Sequence, residues 1–307
     1  MTKINSCINL TEGFAPYTNY SEFCINFESF TFAGGEVHIK ITSESIAEDI
    51  IITSRITNSD DLMRILMAKD ALYRLGARRF SLVLPYIPYA RQDRVCNEGE
   101  AFTLKVFADI INSCGFDKVY CLDAHSEVAP ALINNCINLS NHLFVRKSIE
   151  HIILNKDTSN EDQRDLIIVS PDAGSNKKIK DLMKHLTTVS VTLSNVDLVK
   201  CDKTRDLKTG GLTGFDVYAD DLKGVDCILV DDICSNGGTF LGLADELKKK
   251  NAGDLYLVVS HGEFGKEPNK TIEKLLSKFK RIYTTDSIQK IDNSNVITIT
   301  IQEITST

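Results

Sequence analysis

The sequence predicts an α/β fold with mainly parallel, Rossmann-like sheets, and three features predict it. Short apolar runs alternate with helix-patterned segments along most of the chain, the pattern of βαβ units. Acids, histidines and arginines collect directly after those runs, where open parallel sheets place their functional groups. One run, Ile228 to Val230, passes through two carboxylates into a glycine pair and then a helical pattern, a strand-loop-helix corner.

The predicted strands are 49–53 (DIIIT), 80–84 (FSLVL), 118–122 (KVYCL), 165–170 (DLIIVS), 226–230 (DCILV) and 254–260 (DLYLVVS). Helices are predicted between them at 60–75, 101–114, 175–186, 239–250 and 270–279. The first opens with Asp60-Asp61 and carries Leu62, Ile65, Leu66 and Leu72 at helical spacing, an apolar face for a sheet. A boundary falls between about 140 and 165, where a polar run separates two strand-helix series. The resulting domains are 1–142 and 143–307, with the option that the last strand, about 288–307, returns to the first.

At 307 residues the chain has room for two domains. A 43% hydrophobic and 25% charged composition fits a globular protein and excludes extensive disorder. A net charge of −7 argues against a broad nucleic-acid or acidic-membrane surface, but leaves small anionic substrates open. The 9 cysteines show no CxxC pairing, and the chain opens without a secretory leader, so reduced thiols and a cytoplasmic location are expected. No apolar run approaches membrane-spanning length.

The strand ends carry the chemistry. Strand 80–84 runs into PYIPYARQDR (85–94), 118–122 into DAHSEV (123–128), 165–170 into PDAGSNKK (171–178), and 254–260 into HGEFGK (261–266). Arg91 and Arg94 suit phosphate oxygens, in a turn stiffened by Pro85 and Pro88; solvated surface charge is the plainer alternative. His125 and Asp172 are candidates for Mg²⁺ with nucleotide phosphates, since magnesium takes few protein ligands and keeps waters. A histidine bonded to nearby backbone would explain His125 equally well. In 201–215, the polar, glycine-rich CDKTRDLKTGGLTGF carries Lys203, Arg205 and Lys208. It reads either as a loop that closes over a reacting phosphate or as an exposed β-hairpin.

After Asp231 and Asp232 come Ser235, Asn236, Gly237, Gly238 and Thr239. The paired glycines let backbone N–H groups converge at a helix N-terminus, which suits a phosphate, and the acids suit sugar hydroxyls. A ribose phosphate is the matching ligand, and an ordinary α/β corner the bland alternative.

Together these segments resemble the class I phosphoribosyl pyrophosphate synthetases, or ribose-phosphate pyrophosphokinases. The resemblance runs in order through FAGGEVHIKI (32–41), PYIPYARQDR, DAHSEV, VSPDAG (169–174), DKTRD (202–206) and VDDICSNGGTF (230–240). It implies two phosphoribosyltransferase-type domains with the active site at their junction, in a homo-oligomer, dimer or hexamer. It also implies transfer of the β,γ-diphosphoryl group of ATP to ribose 5-phosphate, with Mg²⁺. By matching position, Phe32 and Glu36 would line the adenine site, and Arg91, Gln92 and Arg94 would contact ATP. His125 would serve both ATP and Mg²⁺, and Asp172 Mg²⁺. Lys203 and Arg205 would be the catalytic cations. Asp231 and Asp232 would hold ribose hydroxyls, and Ser235 to Thr239 the 5-phosphate.

The sequence departs from that family at four places. Its loop usually reads Asp-Thr-Gly-Gly-Thr; Ser235-Asn236 here removes the acid's charge and puts an amide in place of the Thr hydroxyl. The sequence is in this respect similar to a divergent phage branch acting on ADP-ribose in rebuilding NAD, so both acceptors stand as expectations. Gly34 replaces the Asp of the FxDGE segment, and Val95 to Glu100 is neutral to acidic where the family is basic, which predicts weak or absent regulation by phosphate and ADP. The chain ends after VITITI (296–301), where the family continues into a helix, leaving hexamer formation open. Two other classes share parts of this pattern. A non-catalytic synthetase-associated subunit is disfavoured by the intact Lys203, Arg205, His125, Asp172 and Asp231. A simple phosphoribosyltransferase is disfavoured by YARQDR and DAHSEV, which it does not need.

Overall fold

The structure, a computed structural model, describes residues 6–14, 24–156, 166–189, 196–205 and 212–305. The chain divides into two compact units, residues 1–140 with 300–307, and residues 141–299.

The first unit holds β1 (Ser6–Asn9), β2 (Phe27–Thr31), β3 (Val37–Ile41), β4 (Asp49–Thr53), α1 (Ser59–Arg74), β5 (Arg79–Val83), α2 (Thr103–Ser113), β6 (Lys118–Leu122), α3 (Val128–Leu132) and β7 (Cys136–Leu139). Its main sheet runs β1-β4-β5-β6-β7 with every pair parallel. Strands β2 and β3 form a separate antiparallel hairpin. Helix α1 starts where Asn58 and Asp61 cap each other's backbone N–H groups, a reciprocal box that satisfies two orphan donors. Its Ile65, Ala68 and Leu72 are buried in the core that Ile52, Leu82 and Phe107 share.

The second unit holds α4 (His142–Leu154), β8 (Leu166–Ser170), α5 (Asn176–Val189), β9 (Asp197–Arg205), β10 (Leu212–Val217), β11 (Asp226–Cys234), α6 (Gly238–Lys249), β12 (Leu255–Gly262), α7 (Pro268–Leu276), β13 (Arg281–Thr285) and β14 (Val296–Ile299). Its sheet runs β10-β9-β8-β11-β12-β13-β14, parallel except for the antiparallel β9–β10 pair. Strands β8 and β12 are buried along their whole length, as expected of parallel strands covered on both faces.

Four expectations change. The run predicted to end at Val230 continues to Cys234, because Ile233 and Cys234 pair with His261 and Gly262 of β12 and are buried. The boundary region contains α4, whose Phe144, Val145, Ile149 and Ile152 lie on one buried face. Within the segment 288–307, β14 pairs with β13 and belongs to the second unit. Only the segment from Thr300 groups with the first unit, and it forms a short terminal helix, α8 (Ile301–Thr305), whose Ile301 clusters with Phe14 and Leu122.

Candidate active site

In the first unit the antiparallel hairpin presents two predicted residues at its tip. The Phe32 N–H donates to the Glu36 carbonyl and the Gly35 N–H to the Phe32 carbonyl, both at 2.8 Å, which folds Phe32 and Glu36 into one tight turn. Val37 and Ile39 are buried, while Phe32 is 50% exposed. The Phe32 ring stands edge-on to Phe30 at 4.8 Å, and His38 flanks both rings.

After β5 the chain turns sharply through YARQDR. Tyr89 has φ 63°, a left-handed conformation that costs energy in a residue with a Cβ, and its ring is held against Phe107 of α2. Arg91 and Gln92 are exposed beyond it. Asp93 turns inward and accepts from Arg94 Nε at 3.0 Å. Burial alone would raise the Asp93 pKa, but Arg94, Ser126 and the nearby His125 outweigh it and hold the carboxyl below its ordinary value. Asp93 therefore joins YARQDR to DAHSEV, and it orients Arg94. In the latter segment Asp123 leaves β6 at φ 42°, and Asn138 Oδ1 accepts from the Ala124 N–H, which sets the half-buried His125 at the strand end.

In the second unit the neighbouring strands β9, β8 and β11 bring a second group together. Lys203, on β9, is ion-paired with Asp172 Oδ2, just beyond β8. Asp172 Oδ1 accepts from the Ser175 N–H at 3.1 Å, and Ser175 Oγ lies 3.3 Å from that same oxygen and 3.2 Å from Asp231 Oδ1. Asp231 Oδ1 also accepts from the Asp232 N–H at 2.9 Å. The two strand carboxylates behave oppositely. Burial pushes Asp172 upward, but Lys203 first and Ser175 next overcome it, so it stays below its ordinary range. Asp231 keeps partial exposure, yet burial of its carboxyl, then Asp232 and Asp172, raises its pKa well above that range.

The loop after β11 reaches its turn at Gly237, where φ is 74°. Helix α6 then begins, and no side chain caps its first N–H groups, which leaves them directed at an anion. Asn236 and Gly238 are exposed, and Ser235 and Thr239 half-buried. Asn236 Oδ1 lies over Gly265, within 2.5 Å of where a Cβ there would begin. Cys234, beneath the loop, is no nucleophile: burial, then Asp231 and Glu263, push its thiol to about 12.

Of the predicted residues, Phe32 with Glu36, Arg94 with His125, and Asp172 with Lys203, Asp231 and Asp232 are thus grouped. His125 belongs to the first unit and Asp172 to the second. Arg205 ends β9, and its side chain lies outside the described residues, as does Lys208. Sequence reading missed Asp93 and Ser175. Ser175 had a local signal: an Asp three residues before it, at a helix start, is the pattern of a capping turn. Asp93 had none, because its partner Ser126 is remote in sequence. Among the described residues no group of three or more His, Cys, Asp or Glu side chains is placed to hold a metal ion, so a bound Mg²⁺ would draw most of its ligands from substrate oxygens and water. Asp172 fits such an ion, being an ionised carboxylate that already holds a cation. No described helix is long and apolar enough to cross a membrane.

This arrangement has relatives. Residues 2–115 match the family model of the N-terminal domain of ribose phosphate pyrophosphokinase, and residues 138–300 that of the phosphoribosyl transferase domain. The ribose-phosphate pyrophosphokinase of Maricaulis maris is 33% identical over 268 residues, covering 86% of this chain and 79% of its own. The chain belongs to the ribose-phosphate pyrophosphokinase family. It is an enzyme of that diphosphokinase type. The Agrobacterium fabrum member is 31% identical over 289 residues, 93% of this chain and 86% of its own. The crystal structure of phosphoribosylpyrophosphate synthetase from Mycobacterium smegmatis shares the fold, with a TM-score of 0.77 at 20% identity over 98% of this chain and 95% of that one.

Proposed function

We propose that this enzyme transfers the β,γ-diphosphoryl group of ATP to the anomeric hydroxyl of ribose 5-phosphate. The observation that carries this reading is the Lys203–Asp172–Ser175–Asp231 chain, which joins a cation, an ionised carboxylate and a sugar-binding carboxyl on adjacent strands next to an uncapped helix N-terminus.

The 5-phosphate is received by the N–H groups at the start of α6, and Asp231 and Asp232 accept from the ribose hydroxyls. Hydroxyl donors would offset the burial, and then the Asp232 and Asp172 charges, that raise the Asp231 pKa. The anomeric oxygen attacks the β-phosphorus, the α–β bridging bond breaks, and AMP leaves with the bridging oxygen. Lys203, with Arg205, neutralises charge on the transferring phosphates. Asp172 would hold Mg²⁺, which would supply counter-charge to the phosphates. Phe32 and Glu36, with Arg91, Gln92 and Arg94, receive ATP. A homo-oligomer belongs to the reading, since Phe30 and Phe32 each expose about half their surface on the hairpin.

ADP-ribose is the second reading for the acceptor. Its phosphate is esterified and carries less charge, and the loop presents the neutral, exposed Asn236 where the family places a hydroxyl beside an acid. Incubating enzyme, ATP and Mg²⁺ with each acceptor and measuring AMP tests both readings. AMP release that depends on neither compound overturns them.

A further inference from the structure

The β9–β10 hairpin carries Lys203, and it packs on the helix that carries the phosphate loop. Phe215 of β10 is the direct cross-strand partner of Lys203. Directly opposed residues of an antiparallel pair project to the same face. The Phe215 ring lies against Gly242 of α6 so closely that a Cβ at Gly242 would overlap it. Phe215 also packs on the core containing Phe240, Leu243 and Ala244 of that helix.

Two further facts give this contact weight. Strand β10 is the edge of its sheet, with β9 as its one neighbour, so backbone pairing restrains it from one side only. Gly242 lies inside a helix, where glycine costs about 1 kcal/mol relative to alanine. A packing requirement explains a glycine there, and the Phe215 ring supplies it. The contact links Lys203 to α6, whose first turn is the loop Gly237 to Thr239.

We propose that Phe215 is a positioning residue for Lys203: seated on Gly242, it fixes the Lys203-bearing hairpin relative to the phosphate-binding helix, so that the ammonium meets Asp172 at rest and the transferring phosphates during turnover. The proposal rests on the reading of Lys203 as a catalytic cation, and its test separates the two.

The full-length enzyme is compared with Phe215→Ala, Phe215→Leu and Gly242→Ala, the latter two changing the contact while keeping apolar bulk. Turnover is measured alongside the rate at which a small amine-acylating reagent modifies Lys203 without substrates, read by peptide mass spectrometry. A lysine held in an ion pair meets a reagent in solution less often than one whose hairpin is loose. The expected result is faster Lys203 acylation in all three variants and a kcat lowered on the order of ten- to a hundredfold, with acceptor KM within about twofold. The double variant Gly242→Ala with Phe215→Leu should recover part of the loss, because the smaller side chain makes room for the new methyl. Faster acylation with unchanged kcat would uphold the positioning role and overturn Lys203 as the catalytic cation. Unchanged acylation in folded Phe215→Leu and Gly242→Ala would overturn the proposal itself.

Discussion

Ser175 Oγ lies 3.2 Å from Asp231 Oδ1, tying the loop after β8 to strand β11. The same hydroxyl is 3.3 Å from Asp172 Oδ1, and its one proton can serve only one of the two oxygens. Replacing Ser175 with alanine removes this junction without touching either acid. The expected outcome is a several-fold rise in acceptor KM and a stability loss of about 1 kcal/mol, checked by acceptor titration and thermal melting.

Asp231 makes the site unstable for a purpose. Its folded-state pKa lies above the unfolded value of about 3.9, so in the window between them the folded state binds more protons and its stability rises as pH falls. Asp172 and Asp93 are shifted the other way, and the stability they contribute is lost only as pH falls below that same value. Asp231→Asn should therefore raise Tm by about 2–4 °C per kcal/mol of strain removed and flatten the pH dependence above pH about 4. Acceptor binding should weaken in the same variant. Melting across pH, paired with AMP release, checks both halves.

The sequence held much of this site and hid the rest for physical reasons. Strand ends were legible because buried parallel strands stand out as apolar runs, and β4 and β6 fall where the pattern puts them. Strand β11 was read short because Asp231 and Asp232 look like a stop, whereas the sheet carries both acids onward through Ile233 and Cys234. Helix α4 falls inside the boundary region read at about 140–165 because its buried face adjoins a polar run, and Lys156 just after it pairs with Asp226 at the start of β11, a contact no local pattern encodes. Asp93 with Ser126, and Phe215 with Gly242, are likewise products of tertiary packing.

Asp93 should prove as necessary to the first unit as Lys203 is to the second. It is 8% exposed, and it meets the exposed Arg94 guanidinium and the half-buried Ser126, so its removal empties a buried position and frees both partners. Asp93→Ala is expected to lose about 1–3 kcal/mol of stability. Asp93→Asn should preserve the fold better yet raise the ATP KM about tenfold, since Arg94 loses the carboxylate that aims it. A Tm and an ATP titration for each variant decide the matter; an unchanged ATP KM in Asp93→Asn would remove Arg94 and its neighbours from the nucleotide site.

Regulation by inorganic phosphate should be weak or absent. The segment after YARQDR closes on an acid: Glu100 accepts from the Cys96 N–H at 3.0 Å, the Asn97 N–H at 3.1 Å and Asn97 Nδ2 at 2.7 Å. Those donors, Asn97 first, then Cys96, hold the Glu100 pKa below its ordinary value, so the turn stays anionic at neutral pH and occupies its own N–H groups. An anion is repelled from such a turn. Activity measured against phosphate should show no sigmoidal activation, and a cooperative rise would contradict this account.

Lys203 carries the strongest expectation. Its ammonium is paired with Asp172 while the site holds no substrate, and that carboxylate is the group proposed for Mg²⁺. Asp172 would hold Mg²⁺, and Lys203 would serve the phosphates. Lys203→Ala should lower kcat on the order of a hundredfold or more, because charge that builds in the transition state loses a fixed counter-charge. The acceptor KM should change little, since Asp231, Asp232 and the start of α6 bind the sugar phosphate without it. The Asp172 carboxyl should also titrate higher in this variant, as burial then acts with less opposition. Steady-state kinetics with either acceptor checks the first two outcomes, and full turnover by Lys203→Ala would sink the catalytic assignment.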